Sequence, residues 1–270
     1  NMKTRNDIGT KPIKKDLQRL LELQSFADLN EQAAQLFKQD FKLPFAFEVD
    51  QDLKDTDQNA FYFAAPGLVL PDASSYQNKD NAKKLLGVFA KQMKHVLELI
   101  GFGEDDSEMY AEQAVAFDQK LAPLIKSQEE NNDFAAMYNP YYLKDFVNQF
   151  KEFEMGNFLN QILAKQKVDK IIVTEPKLFE HINEVVNDAH FAELKSWMIV
   201  KFAYGYANYL SRELREANFP YSQAVYGIQE LSSSAKQAYG ITADELGEFV
   251  GVYYGKNYFG DKAKKDVEQM

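Results

Sequence analysis

Apolar residues recur three and four positions apart over most of this chain, the spacing that lines one face of a helix. Residues 13–23, directly after Pro12, and residues 30–37 predict two short helices. Residues 81–100 predict a long helix closed by Gly101, and residues 107–125 another. The period changes in "LPFAFEVDQDLKDTDQNAFYFAAPGLVLPD" (43–72), where Phe45, Phe47 and Val49 alternate, then Phe61 and Phe63. A polar turn separates the two runs. This predicts a two-stranded hairpin over about residues 44–65, running into a Pro-Gly loop. "KSQEENNDFAAMYNP" (126–140) reads as a polar linker ending in an Asn-Pro break. Helical spacing returns over 143–150 and 158–164, and "VDKIIVTEP" (168–176) supplies a brief strand. Further helices are expected over 177–186, 190 to about 214, 222–238 and 243–258. A last one starts at Gly260-Asp261, with Ala263, Val267 and Met270 as its apolar stripe. The expectation is one mainly α domain over residues 1–270, a multi-helix, bundle-like fold with a minor β-hairpin.

The last predicted helix changes how the whole chain is read. It closes with neither Gly nor Asn, and its final residue lies on the apolar face. That ending leaves open whether this is the end of a protein or the edge of a cut.

Composition narrows the function classes. The chain has 270 residues, 45% hydrophobic and 27% charged, an ordinary globular balance. A formal charge of −10 argues against nucleic acid and anionic membrane surfaces as partners. The most apolar stretch, "WMIVKFAYGYANYL" from Trp197, carries Lys201 and is too short to cross hydrocarbon. There is no cysteine, which removes disulfides, thiolate metal sites and thiol nucleophiles. With no Asn-x-Ser/Thr acceptor either, a cytoplasmic location is expected.

Candidate chemistry is thin. His181 and Glu184 stand one helical turn apart, and His190 follows, the start of a metal site if a third ligand converges. The stretch holds no second spaced pair, so a structural role is the expectation for both histidines, as for His95 beside Val96 and Leu97. The turn "DQDLKDTDQN" fails as a calcium loop started at Asp50. Lys54 takes a ligand position, and Asp55 stands where the sharp-turn Gly belongs. Glu129 and Glu130 lie in the polar linker, where hydration is expected. No phosphate loop or nucleophile elbow occurs. Phe191, Trp197, Phe202, Tyr206 and Tyr209 form a stripe expected to be core. From chemistry alone, then, no catalytic residue, no metal ligand and no defined substrate-binding residue is assigned.

Four segments carry a resemblance instead. "AFYFAAPGLVLPDASSY" (60–76) resembles the G-L-x-L-P-D-x-x-x-Y segment of neprilysin-type zinc metalloendopeptidases. "MYNPYYLKDF" (137–146) resembles the Y-N-x-x-x-L-x-x-F segment of that family, and "KSWMIVKFAYGYANYLSRELRE" (195–216) its Trp-containing long helix. "VGVYYGKNYFGDKAKKDVEQM" (250–270) is similar to its V-G-x-x-Y-x-x-x-Y-F-x-x-x-A-K-x-x-V-x-x-M segment. Their order places the chain near the bacterial peptidase O-like branch. The resemblance implies the helical, non-catalytic domain that encloses substrate in an oligopeptide-cleaving enzyme. Zinc and its His-Glu-x-x-His ligands would lie in a catalytic domain outside this chain, with none bound here. The implied partners are that C-terminal catalytic domain and oligopeptides. Two alternatives stay open: a stand-alone helical binding or scaffold protein, and an independent enzyme built on His181, Glu184 and His190.

Overall fold

The computed structural model describes residues 2–269. The alternating stretch forms two antiparallel strands, β1 (Ala46–Asp52) and β2 (Asp55–Ala64), within the expected hairpin. Alternation sends Phe47 and its partner Phe63 to one face, and Glu48 with its partner Tyr62 to the other. β3 (Asn139–Tyr142) and β4 (Lys170–Val173) complete a sheet of order β1-β2-β4-β3. β4 runs parallel to β2, setting Phe63 beside Val173, while β3 is antiparallel to β4. The stretch expected as a linker, 126–140, holds local structure. Its middle holds a 3-10 turn, Glu130–Asn132, and its last residues are β3.

The described residues fall into two compact units, residues 3–227 and residues 228–269. In the first, the inner face of the sheet builds an aromatic core. Phe45, Phe47 and Phe63 meet Phe146, Phe150, Phe158 and Phe179 with ring centroids 5.4–6.2 Å apart. The partner rings come from α6 (Leu143–Asn148), α7 (Met155–Leu163), α8 (Pro176–Val185) and the loop between α6 and α7. Each fully buried ring contributes about 1.5–3 kcal/mol through area alone, and edge-to-face pairs add to that.

Beside this core stand α4 (Lys79–Ile100), α5 (Glu104–Leu121) and α9 (Phe191–Ala207). Asn78 caps α4, and Gly101 closes it at φ +119°, a backbone state that favours glycine. α1 (Met2–Ile8), α2 (Lys14–Glu22) and α3 (Phe26–Lys38) precede the sheet. α3 starts at Phe26 rather than residue 30, because Ser25 and Asp28 form a capping box. The helix expected from 190 to about 214 is interrupted after Ala207. Arg5 of α1 donates to the carbonyls of Asn208 and Leu210, and Ser211 caps a new helix, α10 (Arg212–Ala217). The helix expected over 222–238 is likewise divided. α11 (Pro220–Tyr226) stops at Gly227, φ +66°.

The second unit holds α12 (Ser234–Glu245), which Ser233 caps, then α13 (Gly247–Asn257) and α14 (Asp261–Glu268). Neither α12 nor α13 has a buried residue, although they carry Tyr239, Phe249 and Tyr253. Met270, the last position of the predicted stripe, lies outside the described residues.

Candidate functional site

The loop that leaves β2, "APGLVLPD" (65–72), is held from beneath by one carboxylate. Asp118, on α5, is fully buried. It accepts the Val69 amide at 3.1 Å, the indole N–H of Trp197 at 3.0 Å, and the Tyr76 hydroxyl. Tyr76 in turn accepts the Leu70 amide at 3.0 Å, while Tyr221 donates to the Val69 carbonyl. Lys201, one helical turn beyond Trp197, donates to the carbonyls of Gly67 and Leu68 at 2.7 and 3.2 Å. Its Nζ sits 5.5 Å from the centre of the Trp197 ring.

The Val69 and Leu70 amides and the Gly67, Leu68 and Val69 carbonyls thus each have a partner, as buried backbone groups require. Burial pushes the Asp118 carboxyl above its ordinary value, against the pull of Lys201 and the three donors. Burial likewise pushes the Lys201 ammonium down, opposed by Asp118. The Tyr76 hydroxyl is raised by burial and then by Asp118, so it stays a donor. Asp72 ends the loop by accepting the Ser74 and Gln128 amides.

Two cavities flank the loop. One, of about 550 Å³, lies between the turn Ala73–Tyr76, residues 122–127 and the start of α8. The other, of about 410 Å³, lies on the outer face of the sheet under residues 131–137. The covering segment is anchored. Lys126 donates its ammonium to the Ala136 and Thr174 carbonyls and its amide to Glu175. Glu130, expected to be hydrated, instead accepts the Ser127 amide and hydroxyl at 2.7 and 2.8 Å, which holds its pKa below the ordinary value.

Comparison with known proteins decides the lineage of this arrangement. The amino-terminal profile of Peptidase family M13 matches residues 1–270. The chain belongs to Peptidase family M13. A neutral endopeptidase of Lactobacillus helveticus is 44% identical over 270 residues, all of this chain and 41% of that protein. A second, from Lactococcus lactis, is 31% identical over 269 residues, 99% of this chain and 42% of that protein. The crystal structure of PEPO from Lactobacillus rhamnosis HN001 superposes with a TM-score of 0.89 at 26% identity, covering 99% of this chain and 42% of that one. The chain thus spans about two-fifths of the length of the relatives it matches.

Within this M13 chain, two of the four segments that carried the resemblance meet at Asp118, and a third lies in the same sheet as β2. The first supplies Val69 and Tyr76, the third Trp197 and Lys201, and the second β3, two strands across from β2. Asp118 itself escaped the sequence reading. Its only signal was a carboxylate between Phe117 and Leu121 on an otherwise apolar helix face.

The histidines are not brought together. His181 pairs with Glu184 at 2.7 Å, His190 with Glu193 at 3.2 Å and His95 with Glu98 at 3.7 Å, each three residues along its own segment. Among the described residues, no group of three or more His, Asp or Glu side chains is placed to hold a metal ion. The Asp50–Asp55 stretch is the hairpin turn, with the Lys54 amide on Asp52 and the Lys54 ammonium over the Tyr138 ring at 4.4 Å. Of the aromatic stripe, Phe191, Trp197 and Phe202 are core. Tyr206 and Tyr209 are exposed, because α9 ends beside them.

Proposed function

We propose that this chain is the helical, substrate-enclosing domain of a zinc endopeptidase that cleaves oligopeptides, its zinc held in a catalytic domain beyond these residues. The observation that carries the reading is the end-to-end match to 41% of a neutral endopeptidase. No bond-breaking step is assigned to the described residues. When bound in its own domain, zinc supplies a polarised water for peptide hydrolysis. The present domain contributes a wall. An enclosed chamber excludes bulk water from the reacting centre and admits flexible peptides while rejecting folded proteins. The Asp118 latch suits that work, since it fixes a loop between two cavities through three donors to one carboxylate.

The test uses the intact protein. Zinc analysis should give one ion per molecule, and chelation should abolish cleavage of an unstructured decapeptide. The same protein should leave a folded domain containing that decapeptide sequence uncut. Equal cleavage of both substrates would overturn the enclosing role, and cleavage unaffected by chelation would overturn the zinc assignment.

A further inference from the structure

The cavity on the outer face of the sheet has an unusual balance of groups. Its polar lining includes the carboxylates of Glu48, Asp50 and Glu175, while no lysine or arginine lines it. Glu48 and Asp50 project from β1 on the same face as Tyr62. Glu175 is 4% exposed, and only its Oε2 is taken, by the Lys126 amide at 3.0 Å. Among the described residues nothing donates to its Oε1. Asn131, on the covering segment, lines the same cavity, and its Oδ1 is buried without a hydrogen-bond partner. A buried acceptor left empty costs about 1–3 kcal/mol, so the site is short of donors. The apolar walls are Leu53, Tyr62, Met137 and Phe134, the last 66% exposed at the mouth.

These features select a ligand class. The carboxylates do not converge as a metal site, so a compact divalent ion is poorly matched. An ammonium or guanidinium on an apolar stem fits both halves. The head offers three or five donors to the carboxylates of Glu48, Asp50 and Glu175, and the stem lies along Tyr62, Met137 and Phe134. Next in sequence to the lining residues Leu53 and Met137, outside the cavity, the Lys54 ammonium lies 4.4 Å from the Tyr138 ring centre, and Tyr138 donates to Asp52. Lys126, whose amide binds Glu175, has its ammonium engaged by two carbonyls. A volume of about 410 Å³ lies within the usual range for small-ligand pockets.

We propose that this cavity binds the basic side chain, lysyl or arginyl, of a peptide. The inference stands on the cavity alone and does not need the enclosing role. It is tested on this chain by ligand-observed NMR titration with two probes, Nα-acetyl-lysine methylamide and its norleucine counterpart, which keeps the stem and lacks the charge. The lysine probe should bind about tenfold tighter than norleucine. The pair Glu48→Gln with Asp50→Asn, both exposed on β1, should remove most of that difference, and Phe134→Ala should weaken both probes alike. Equal binding of the two probes would overturn the proposal, as would a lysine preference untouched by the Glu48/Asp50 pair.

Discussion

Asp118 shows how a single buried charge can organise a loop. Its neighbours are all donors, so the carboxylate acts as a hub rather than as half of an ion pair. Removing one spoke leaves a buried group empty, which costs more than the net worth of a hydrogen bond. Tyr76→Phe deletes both the donor to Asp118 and the acceptor of the Leu70 amide. We expect it to destabilise the chain by about 1–3 kcal/mol, read as a lower urea midpoint at unchanged slope. Trp197→Phe removes only one donor, but its indole is fully buried and also leaves a gap, so a comparable loss is expected. Because both residues act on one carboxylate, the double variant should lose measurably less than the sum of the two. Strict additivity would mean that the two contacts work independently and the hub description is wrong. None of this was legible in the sequence. A lone acid on an apolar face of α5 carries no sign of which distant donors will meet it.

Elements were more legible where local signals agree. The hairpin and the long helix ended by Gly101 follow from alternation and from a glycine stop, and both stand in the structure. The misplaced boundaries share a cause, since caps were outweighed by hydrophobic period. Ser211 and Ser233 each begin a helix inside a stretch read as continuous, and Gly227 ends one. The parallel pairing of β2 with β4 joins strands more than a hundred residues apart and lies beyond any local pattern.

The capping box of α3 offers a test at this scale. Asp28 accepts from the Gln24 amide and from the Ser25 amide and hydroxyl, which hold its pKa below 3.8. The folded value lies below the unfolded one. The stabilisation is therefore complete above the unfolded pKa and is lost as pH falls through the folded one. Asp28→Asn should flatten the acid limb of the stability–pH curve and leave the limb above pH 6 parallel to wild type. Ser25→Ala should cost about 1 kcal/mol at neutral pH, followed by thermal unfolding. In the sheet, Phe63→Ala should cost about 3–5 kcal/mol, since its ring is fully buried against five others.

For the molecule as a whole, the unit formed by residues 228–269 poses the largest physical question. α13 exposes Phe249, Val250, Val252, Tyr253 and Tyr254, so its apolar side chains point in every direction. A helix apolar all round belongs in an interior. The relatives extend well beyond the length matched by this chain, and we propose that their remaining part, the catalytic domain, covers this helix. Gly251 separates the alternatives by sign. It lies in the helix interior, and a Cβ built there meets nothing within 4 Å. In this chain alone, Gly251→Ala should raise helicity and stabilise the unit by about 0.5–1 kcal/mol, because alanine costs less backbone entropy. In the intact protein, a helix packed closely through that face has no room for the methyl group, and the same change should lower the melting temperature and activity. Circular dichroism of the chain and thermal unfolding of the intact protein read the two arms. Stabilisation in both would mean that the Gly251 face stays open to water, and the proposed cover over it would have to be abandoned.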